Sequence, residues 1–437
     1  MVGEWKRYTI DQLKADTNAA IAIGPFGSRM KSDTYVPVGV PVIRGNNISD
    51  TKEFVADFVY ITPVFADQLR SQNVTDGDLV FPHRGNIGTV GIVGKERPRY
   101  VLSTSLMKLT CNRLLADPLF LFYFFRSPVG HHRLMQHAST VGTPGIGSPL
   151  ASLRSIAVDL PPLPEQRAIA GVLGALDDKI ELNRRRGRTL EGLARAVFRS
   201  WFVDFDPVRA KAAGRAPAGL SPAVAALFPD ALADSPLGPI PAGWRVSTVG
   251  ANFRLTMGQS PPGSTYNETR EGLPFYQGRT DFGFRFPTRR VYCTAPTRLA
   301  EPGDTLVSVR APVGDINIAS ERCAVGRGVA AVRHVHGSRS LTYHAMDGLR
   351  DHFLTFEAEG TVFGSINKSD FAKLPFLEST EAVLSEFERL VSPLDDQVET
   401  IERESATLAA LRDALLPKLI SGELRVPAAA RAVGRVT

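Results

Sequence analysis

Two long stretches of this 437-residue chain carry the same heptad pattern. In the first, Leu160–Phe205, apolar or small residues recur at alternating steps of four and three, which is the seam of one long helix. Its positions are Ile169, Leu173, Leu176, Ile180, Leu190, Ala194, Val197 and Trp201, with Asn183 and Gly187 in the two slots between. About 40 residues at roughly 1.5 Å each make a rod of about 60 Å, and an apolar stripe of that length needs a partner.

The partner is predicted in the same chain. A second stretch repeats the seam at Phe387, Val391, Leu394, Val398, Ile401, Ser405, Leu408, Leu415 and Leu419. Asp177-Asp178 recurs as Asp395-Asp396, at an offset (395 minus 177) of 218 residues. Gapless register over so many positions indicates an internal duplication. Because each predicted helix follows a domain of its own, we expect the two helices to pack as an antiparallel coiled coil.

The rest of the chain follows a duplicated plan, in which short β-rich runs alternate with Gly, Pro and Asn. Both domains open on a tryptophan followed by a basic residue, at Trp5 and at Trp244. The predicted plan is a first domain over 1–159, a first helix over 160–207, a linker or wrapped loop over 208–243, a second domain over 244–379, a second helix over 380–424 and a tail over 425–437. We therefore predict an α+β protein, with two mixed α/β domains separated by the two helices in a pseudo-twofold arrangement.

Composition limits the class of protein. The formal net charge of +6 permits a polyanionic partner. The three isolated cysteines argue against a disulfide framework or a structural zinc site, and fit a reducing cytosol. The first residues lack the apolar core of a signal peptide, and the longest strongly apolar run, Leu119–Phe125, is too short to cross a bilayer. These features favour a cytoplasmic protein.

Motifs for catalysis are missing from the sequence. It has neither a GxxxxGK[ST] phosphate loop nor a GxSxG nucleophile elbow. The run Asp117–Phe120 is similar to an amino-methyltransferase motif, but it lacks the second proline and an upstream cofactor loop, so a helix start is favoured. His131-His132 has no plausible set of metal ligands nearby. We predict that the chain is not an enzyme, against two alternatives: a self-contained methyltransferase or nuclease, and a coiled-coil scaffold that binds no DNA.

Basic and amide residues occupy turn-like positions after strands in both predicted domains. The candidate DNA contacts are Lys31, Arg44, Asn46, Asn47, His83, Arg84 and Asn86 in the first domain, and Tyr276, Gln277, Arg279, Thr280 and Arg310 in the second. Arginine reads guanine, and asparagine or glutamine reads adenine, through paired hydrogen bonds. Any one of these residues could equally be an ordinary solvated turn residue. Because Tyr276–Thr280 matches Arg44–Asn47 and Arg310 matches Arg84, the recurrence favours contacts with duplex DNA.

Four motifs stand out in and around the two predicted helices: LPPLPEQR (160–167), LDDKIELN (176–183), WFVDFDPV (201–208) and LLPKLISGEL (415–424). Through these motifs the chain resembles a known family, the specificity subunits of type I restriction-modification enzymes. The likeness covers the whole plan of two variable domains and two helical spacers. One departure is the exit of the second domain, Leu374–Glu378, which lacks the Pro-Pro-Leu-Pro-Glu-Gln string.

The resemblance implies a non-catalytic DNA-recognition subunit in the prokaryotic cytoplasm. Each domain would be a target-recognition domain that reads one half of a bipartite double-stranded DNA target, and the helices would set the gap. Two methylation subunits would dock on the helices, and restriction subunits would join in the full complex. S-adenosylmethionine, ATP and Mg²⁺ would bind to these partner subunits, and this chain would bind none of them. The residues implicated in docking are Glu165, Gln166, Arg167, Asp177, Asp178, Asp395 and Asp396.

Overall fold

The computed structural model describes residues 4–26, 29–49, 51–55, 57–139, 142–358 and 364–434. The chain forms two compact units. The first unit comprises Met1–Leu182 together with Ser405–Thr437, and the second comprises Asn183–Glu404. Each unit therefore contains one sheet-bearing domain and one half of each long helix.

The first domain is built from short strands and five short helices. Its strands are β1 (Lys6–Thr9), β2 (Ile21–Ile23), β3 (Tyr35–Val36), β4 (Val40–Ile43), β5 (Val59–Ile61), β6 (Asn73–Val74), β7 (Leu79–Pro82), β8 (Gly91–Ile92), β9 (Tyr100–Leu102), β10 (Leu106–Leu109), β11 (Ala138–Ser139), β12 (Gly145–Ile146) and β13 (Ala157–Leu160). Its helices are α1 (Ile10–Leu13), α2 (Pro63–Gln68), α3 (Pro118–Arg126), α4 (Pro128–Met135) and α5 (Pro149–Ser155), and the long helix α6 (Leu163–Phe202) follows.

The remaining elements follow α6. The helices are α7 (Asp206–Ala212), α8 (Pro222–Ala225), α9 (Val249–Asn252), α10 (Arg339–Gly348), α11 (Arg350–Ala358), α12 (Lys368–Lys373), the long helix α13 (Glu381–Ile420) and α14 (Val426–Val433). The strands are β14 (Leu232–Ala233), β15 (Ile240–Pro241), β16 (Arg245–Thr248), β17 (Phe253–Met257), β18 (Tyr266–Asn267), β19 (Leu273–Tyr276), β20 (Tyr292–Cys293), β21 (Leu299–Ala300), β22 (Thr305–Ser308), β23 (Ile316–Ile318), β24 (Cys323–Val325), β25 (Val329–His334) and β26 (Pro375–Glu378).

The two domains repeat one strand order. The first has a four-stranded sheet in the order β2-β10-β7-β8, a five-stranded sheet in the order β3-β5-β4-β9-β6, and the pair β1-β13. The second has β17-β25-β22-β23, β18-β20-β19-β24-β21 and β16-β26. In both five-stranded sheets the central pair, β4 with β9 and β19 with β24, is parallel. This strand-by-strand agreement confirms the duplication and the α+β class that the sequence indicates.

The long helices pack in antiparallel fashion within each unit. In the first unit, Leu173 and Leu176 from the start of α6 share a core with Leu415 and Leu419 from the end of α13. In the second unit, Trp201 from the end of α6 packs with residues from the start of α13. The antiparallel pairing predicted from the heptads is therefore confirmed.

One polar position interrupts the apolar seam in the second unit. Asn183 is fully buried, and its Nδ2 donates a hydrogen bond to Glu404 Oε2 at 2.7 Å. A buried amide in a seam disfavours any register that leaves it unpaired. Asn183 therefore helps to fix how far one helix slides along the other.

The segment 208–243 is folded within the second unit. Phe228 and Ile240 are buried in a core with Trp201 and Trp244. Lys211 Nζ donates to the carbonyl oxygen of Ala225 at 3.2 Å, which closes the loop on itself.

The helix start that was favoured for Asp117–Phe120 is also observed. Asp117 caps α3, because its Oδ1 accepts hydrogen bonds from the amides of Leu119 at 3.0 Å and Phe120 at 3.1 Å. Pro118 occupies the first helical turn, where its missing amide hydrogen costs nothing. These bonds explain the motif without a cofactor.

None of the described helices combines the length and the hydropathy needed to cross a bilayer. Within the described ranges, no group of three or more His, Cys, Asp or Glu side chains is arranged to hold a metal ion.

Candidate nucleic-acid interface

In the first domain, several loops meet around the connection between β9 and β10. The amide of Ser103 donates to the carbonyl oxygen of Ile43 at 2.9 Å, and the amide of His83 donates to that of Ser105 at 2.9 Å. The segments that follow β4 and β7, which carry the candidate contacts, therefore lie on either side of residues 103–105.

A further loop fixes the backbone around Arg84. The amide of Ile146 donates to the carbonyl oxygen of His83 at 2.9 Å, and the amide of Gly85 donates to that of Pro144 at 2.9 Å. These bonds flank Arg84, whose backbone forms an antiparallel bridge with Gly145. The backbone of Arg84 is held while its side chain is exposed.

The second domain repeats these hydrogen bonds. The amide of Gly326 donates to the carbonyl oxygen of Tyr276 at 2.9 Å, and the amide of Val309 donates to that of Gly328 at 2.9 Å. Tyr276 thus stands where Ile43 stands in the first domain, and Val309 stands in the place of His83.

The surroundings of Arg310 match those of Arg84. The amide of Ile366 donates to the carbonyl oxygen of Val309 at 3.0 Å, and the amide of Ala311 donates to that of Gly364 at 2.9 Å. Arg310 forms an antiparallel bridge with Ser365. The structural equivalence of Arg84 and Arg310 that the sequence predicts is therefore present; a contact of either residue with DNA stays a prediction.

The other predicted match, of Tyr276–Thr280 with Arg44–Asn47, is out of step, because Tyr276 corresponds to Ile43, the residue before Arg44. Both loops contain a short 3-10 turn, Gly45–Asn47 in the first domain and Arg279–Asp281 in the second. The turn begins two residues after Ile43 but three residues after Tyr276, so the second loop is one residue longer. Asn47 therefore corresponds to Asp281, which lies just outside the predicted match.

Most of the candidate contact residues are exposed to solvent. The exposed set is Lys31, Asn46, Arg84, Asn86, Gln277, Arg279, Thr280 and Arg310. Arg44 is half-buried, and its Nη2 donates to the carbonyl oxygen of Asp57 at 2.5 Å. Arg279 is partly engaged, because its Nη1 lies 2.7 Å from Asp315 Oδ2.

Three of the candidates face the protein interior, and the structure corrects their assignment as contacts. Asn47 is fully buried, where its Oδ1 accepts from the amide of Arg44 at 2.8 Å and its Nδ2 donates to the carbonyl oxygen of Val55 at 3.0 Å. His83 is buried with Nε2 at 3.1 Å from the carbonyl oxygen of Thr104, and burial lowers its pKa. Tyr276 is 1% exposed. These residues shape the loops, because an asparagine in a turn bonds its own backbone readily.

Among the proposed docking residues, Gln166 uses its side chain for hydrogen bonds inside the first unit. It is buried, and its Oε1 accepts from the amide of Asp117 at 2.9 Å. Its Nε2 donates to the carbonyl oxygens of Leu115 at 3.0 Å and Pro161 at 2.9 Å. Gln166 thus joins the start of α6 to the start of α3, and its assignment to docking is wrong because its amide is fully used inside the unit.

Asp177, also assigned to docking, is likewise buried. It accepts a hydrogen bond from the Tyr123 hydroxyl at 2.7 Å and one from Arg412 Nη1 at 2.8 Å, and Arg126 lies 3.6 Å away. A buried carboxylate is stable only with such partners. The expectation that Asp177 faces solvent or a partner subunit is therefore wrong.

Asp395 holds the equivalent place in the second unit, and the docking assignment fails there for the same reason. Its side chain is 1% exposed, Arg285 Nη1 donates to its Oδ1 at 2.9 Å, and His344 Nε2 lies 3.7 Å from the same oxygen. The first aspartate of each repeated pair thus anchors a domain to its helix.

The second aspartate of each pair remains accessible. The side chains of Asp178 and Asp396 are 72% and 65% exposed, and each has one cationic neighbour, Lys52 at 2.5 Å and Arg339 at 3.1 Å. Glu165 lies 3.0 Å from Arg425, and Arg167 is exposed.

Two arginines that are not among the predicted contacts hold prominent positions in the structure. Arg285 is 1% exposed, and its guanidinium bonds Asp395 and Glu191 and lies 3.8 Å from the ring centre of Tyr343. Burial opposes its charge, but these neighbours outweigh burial and raise the pKa of Arg285. Arg327 is exposed at the centre of residues 326–328. Its sequence signal is an arginine between two glycines, Gly326 and Gly328.

Comparison with known proteins finds one family repeatedly. Residues 27–191 match the model of the type I restriction modification DNA specificity domain. A putative type I restriction enzyme MjaX specificity subunit of Methanocaldococcus jannaschii is 26% identical over 403 residues, which cover 89% of this chain and 88% of that one. The HindI specificity subunit of Haemophilus influenzae is 24% identical and covers 80% of this chain and 87% of its own.

This chain is similar over most of its length to the specificity subunits of type I restriction-modification enzymes. A solved structure of the type I S subunit from M. genitalium covers 96% of each chain with a TM-score of 0.60 at 16% identity, which supports the fold alone. The similarity supports a DNA-recognition subunit rather than a catalytic one.

Proposed function

We propose that this specificity subunit recognises a bipartite duplex target, with one half read by each domain. The observation that carries the proposal is the shared hydrogen bonding around Arg84 and Arg310. The two domains share the same backbone hydrogen bonds around this position, and each holds an exposed arginine there. A duplicated frame of this kind suits two half-sites on one DNA molecule.

The exposed side chains around that frame differ between the domains, so we propose that the two half-sites have different sequences. The first domain presents Asn46, Arg84 and Asn86, and the second presents Gln277 and Arg310. Arginine pairs with guanine, and asparagine or glutamine with adenine. Lys31, as a flexible point charge, suits a phosphate.

The long helices are proposed to set the gap between the half-sites. Both α6 and α13 have 40 residues. At about 1.5 Å per residue this length is about 60 Å, which corresponds to an upper bound of about 18 base pairs at roughly 3.4 Å each.

We further propose that two methylation subunits dock on the helices and that restriction subunits join the full complex. Of the residues assigned to docking, Arg167, Asp178 and Asp396 remain accessible. S-adenosylmethionine, ATP and Mg²⁺ are proposed to act on these partners, in the cytoplasm of a prokaryotic cell. Methyl transfer to DNA by the purified chain alone would favour a self-contained methyltransferase instead.

The direct test is selection of bound sequences from a pool of random duplexes, with this chain assembled with its methylation subunits. Arg84→Ala is expected to relax one half of the selected target, and Arg310→Ala the other half. Each loss at the affected base pair should be about 1–3 kcal/mol, because that is the usual discrimination by one arginine pair.

Matched controls are Arg154→Ala and Arg322→Ala. Each removes one exposed positive charge that lies near a single carboxylate, Asp11 or Glu301, away from the loops that carry Arg84 and Arg310. Both controls should leave the selected target unchanged. An equal loss of affinity for all DNA sequences would indicate that Arg84 and Arg310 contact phosphates instead of bases. Wild-type complex that enriches no target would favour a scaffold that does not read DNA.

A further inference from the structure

The connection between β24 and β25, residues 326–328, is fitted closely to the predicted DNA-contact loop of the second domain. A Cβ added to Gly328 would lie 2.3 Å from the carbonyl oxygen of Gln277, and one added to Gly326 would lie 3.0 Å from the Cα of Gln277. Both glycines are therefore needed for this close approach. Arg327 between them supplies the only side chain of the three residues, and it is exposed.

Ser260 holds Arg327 and Gln277 together. The amide of Arg327 donates to Ser260 Oγ at 3.3 Å, and Gln277 Nε2 donates to the same oxygen at 3.4 Å. On the other side, the amide of Val309, next to Arg310, donates to the carbonyl oxygen of Gly328 at 2.9 Å. Arg327 thus lies between two residues already proposed to read DNA.

The guanidinium of Arg327 is available to a ligand. Other arginines of this domain are engaged by carboxylates, as Arg279 is by Asp315 at 2.7 Å and Arg290 by Asp281 at 2.7 Å. Among the residues that the structure describes, no carboxylate pairs with Arg327. An arginine that lies in a contact loop without an acidic partner keeps the N–H donors of its guanidinium available to bind DNA.

We propose that Arg327 is a specificity-determining residue that reads a guanine in the half-site of the second domain, an inference that rests on the proposed function. The fork of an arginine matches the O6 and N7 acceptors of guanine in the major groove. Gln277, tied to the same serine, is placed to read a neighbouring base pair.

The first domain differs at the same place, which makes the proposal specific to one half-site. Gly24 and Gly258 are equivalent, because their amides donate to the carbonyl oxygens of Leu106 at 2.7 Å and Val329 at 2.9 Å. Two residues later the first domain has Phe26, which is 77% exposed, where the second has Ser260.

Thr104 takes the place of Arg327 in the first domain, since residues 103–105 form the equivalent connection. An exposed phenylalanine and a threonine offer apolar contacts of the kind that suit a thymine methyl group, and they offer no fork for guanine. The corresponding base pair in the first half-site is therefore not selected as guanine by an arginine.

The test compares wild type with Arg327→Thr, which installs the residue of the first domain, and with Arg327→Lys. The chain assembled with its methylation subunits selects from random duplexes, and affinity for single-base variants of the selected target is then measured across salt. Arg327→Thr is expected to lower the preference for guanine at one position of one half-site about tenfold. The rest of the target should be kept. Arg327→Lys should keep affinity better than Arg327→Thr while losing part of that preference.

Arg322→Thr is the matched control, since Arg322 is exposed in the same domain and pairs with Glu301 at 3.1 Å. It should leave the preference intact. A uniform loss of affinity for all sequences after Arg327→Thr, with a smaller salt dependence, would overturn the proposal in favour of a phosphate contact. An unchanged guanine preference would overturn it while the proposed function stands, provided that Arg310→Ala still alters that half-site. Wild type that selects no bipartite target would overturn both.

Discussion

The Arg285 guanidinium lies 2.9 Å from the Asp395 carboxylate, and both side chains are 1% exposed. Asp177, 218 residues earlier in the repeat, is also buried, and it accepts hydrogen bonds from the Tyr123 hydroxyl of the first domain at 2.7 Å and from Arg412 of α13 at 2.8 Å. In each unit the first aspartate of the repeated pair is therefore a buried carboxylate of a long helix with a cationic partner. These carboxylates fix the sheet-bearing domains on the helices, which is a precondition for presenting the loops in a defined orientation.

Replacing Arg285 with methionine should destabilise the second unit strongly. Arg285→Met leaves the Asp395 carboxylate buried without its guanidinium partner and leaves Glu191 with Arg195, and breaking a buried ion pair from one side costs about 3–5 kcal/mol. Urea denaturation followed by tryptophan fluorescence measures the loss, because Trp201 and Trp244 lie in the core of this unit.

Arg289→Met is the control for that variant. Arg289 pairs with Glu321, but its side chain is 58% exposed, so its loss should cost less than about 1 kcal/mol. Equal destabilisation by the two variants would contradict a structural role for the buried pair.

The stability of the second unit should depend on Asp395 in a pH-dependent way. Burial alone would raise its pKa, but His344 and Arg285 outweigh burial, so the pKa lies below the ordinary aspartate value of about 4. A depressed carboxyl pKa contributes stability that is fully present above the unfolded-state pKa and is lost as pH falls through the folded-state pKa.

Melting temperatures of wild type and Asp395→Asn, measured over a pH series, test this dependence. The advantage of wild type should be constant above about pH 5 and shrink as the pH falls below about 4. Asp396→Asn is the control, because that side chain is 65% exposed and should show little difference at any pH. An advantage that grows on acidification would contradict the assigned direction of the pKa.

Two neighbouring residues of the LPPLPEQR string, Gln166 and Arg167, should differ in role, the first stabilising the fold and the second contacting a partner subunit. Gln166→Leu removes three internal hydrogen bonds and leaves buried backbone groups without a partner, so we expect a loss of stability of about 2–4 kcal/mol. Arg167→Ala should leave stability within about 0.5 kcal/mol, because Arg167 is exposed, and should weaken assembly with the methylation subunits. Thermal unfolding measures the change in stability, and co-purification measures assembly with the methylation subunits. An unstable Arg167→Ala together with a stable Gln166→Leu would refute the proposed roles of the two residues.

The helices and the duplicated frame could be predicted because they depend on local and repeated patterns. Leu173, Leu176 and Leu415 follow heptad spacing, and a seam of that kind forces a partner. Arg84 and Arg310 follow strands and precede turns in both copies, so their equivalence was visible in the sequence. Two copies of one pattern supply what an alignment would otherwise provide.

The buried polar residues could not be predicted, because their burial depends on distant parts of the chain. Arg285 meets Asp395 across 110 positions, and Gln166 meets Asp117 across 49. In isolation each is a polar residue that is usually solvated. Asn47 was misassigned for a local reason, since an amide in a turn can bond its own loop as well as a ligand.

Lengthening the helices tests the proposed bipartite recognition most directly. A heptad inserted after Leu182 in α6 and a matching heptad after Glu404 in α13 preserve the seam and add about 10 Å, or about three base pairs. The same insertion after Gly219, an exposed glycine of the wrapped loop, is the control and should leave the target unchanged. Mapping of methylated adenines by the assembled complex should show both half-sites unaltered and the gap longer by about three base pairs. An unaltered gap in the lengthened protein would contradict the proposal that the helices set the spacing.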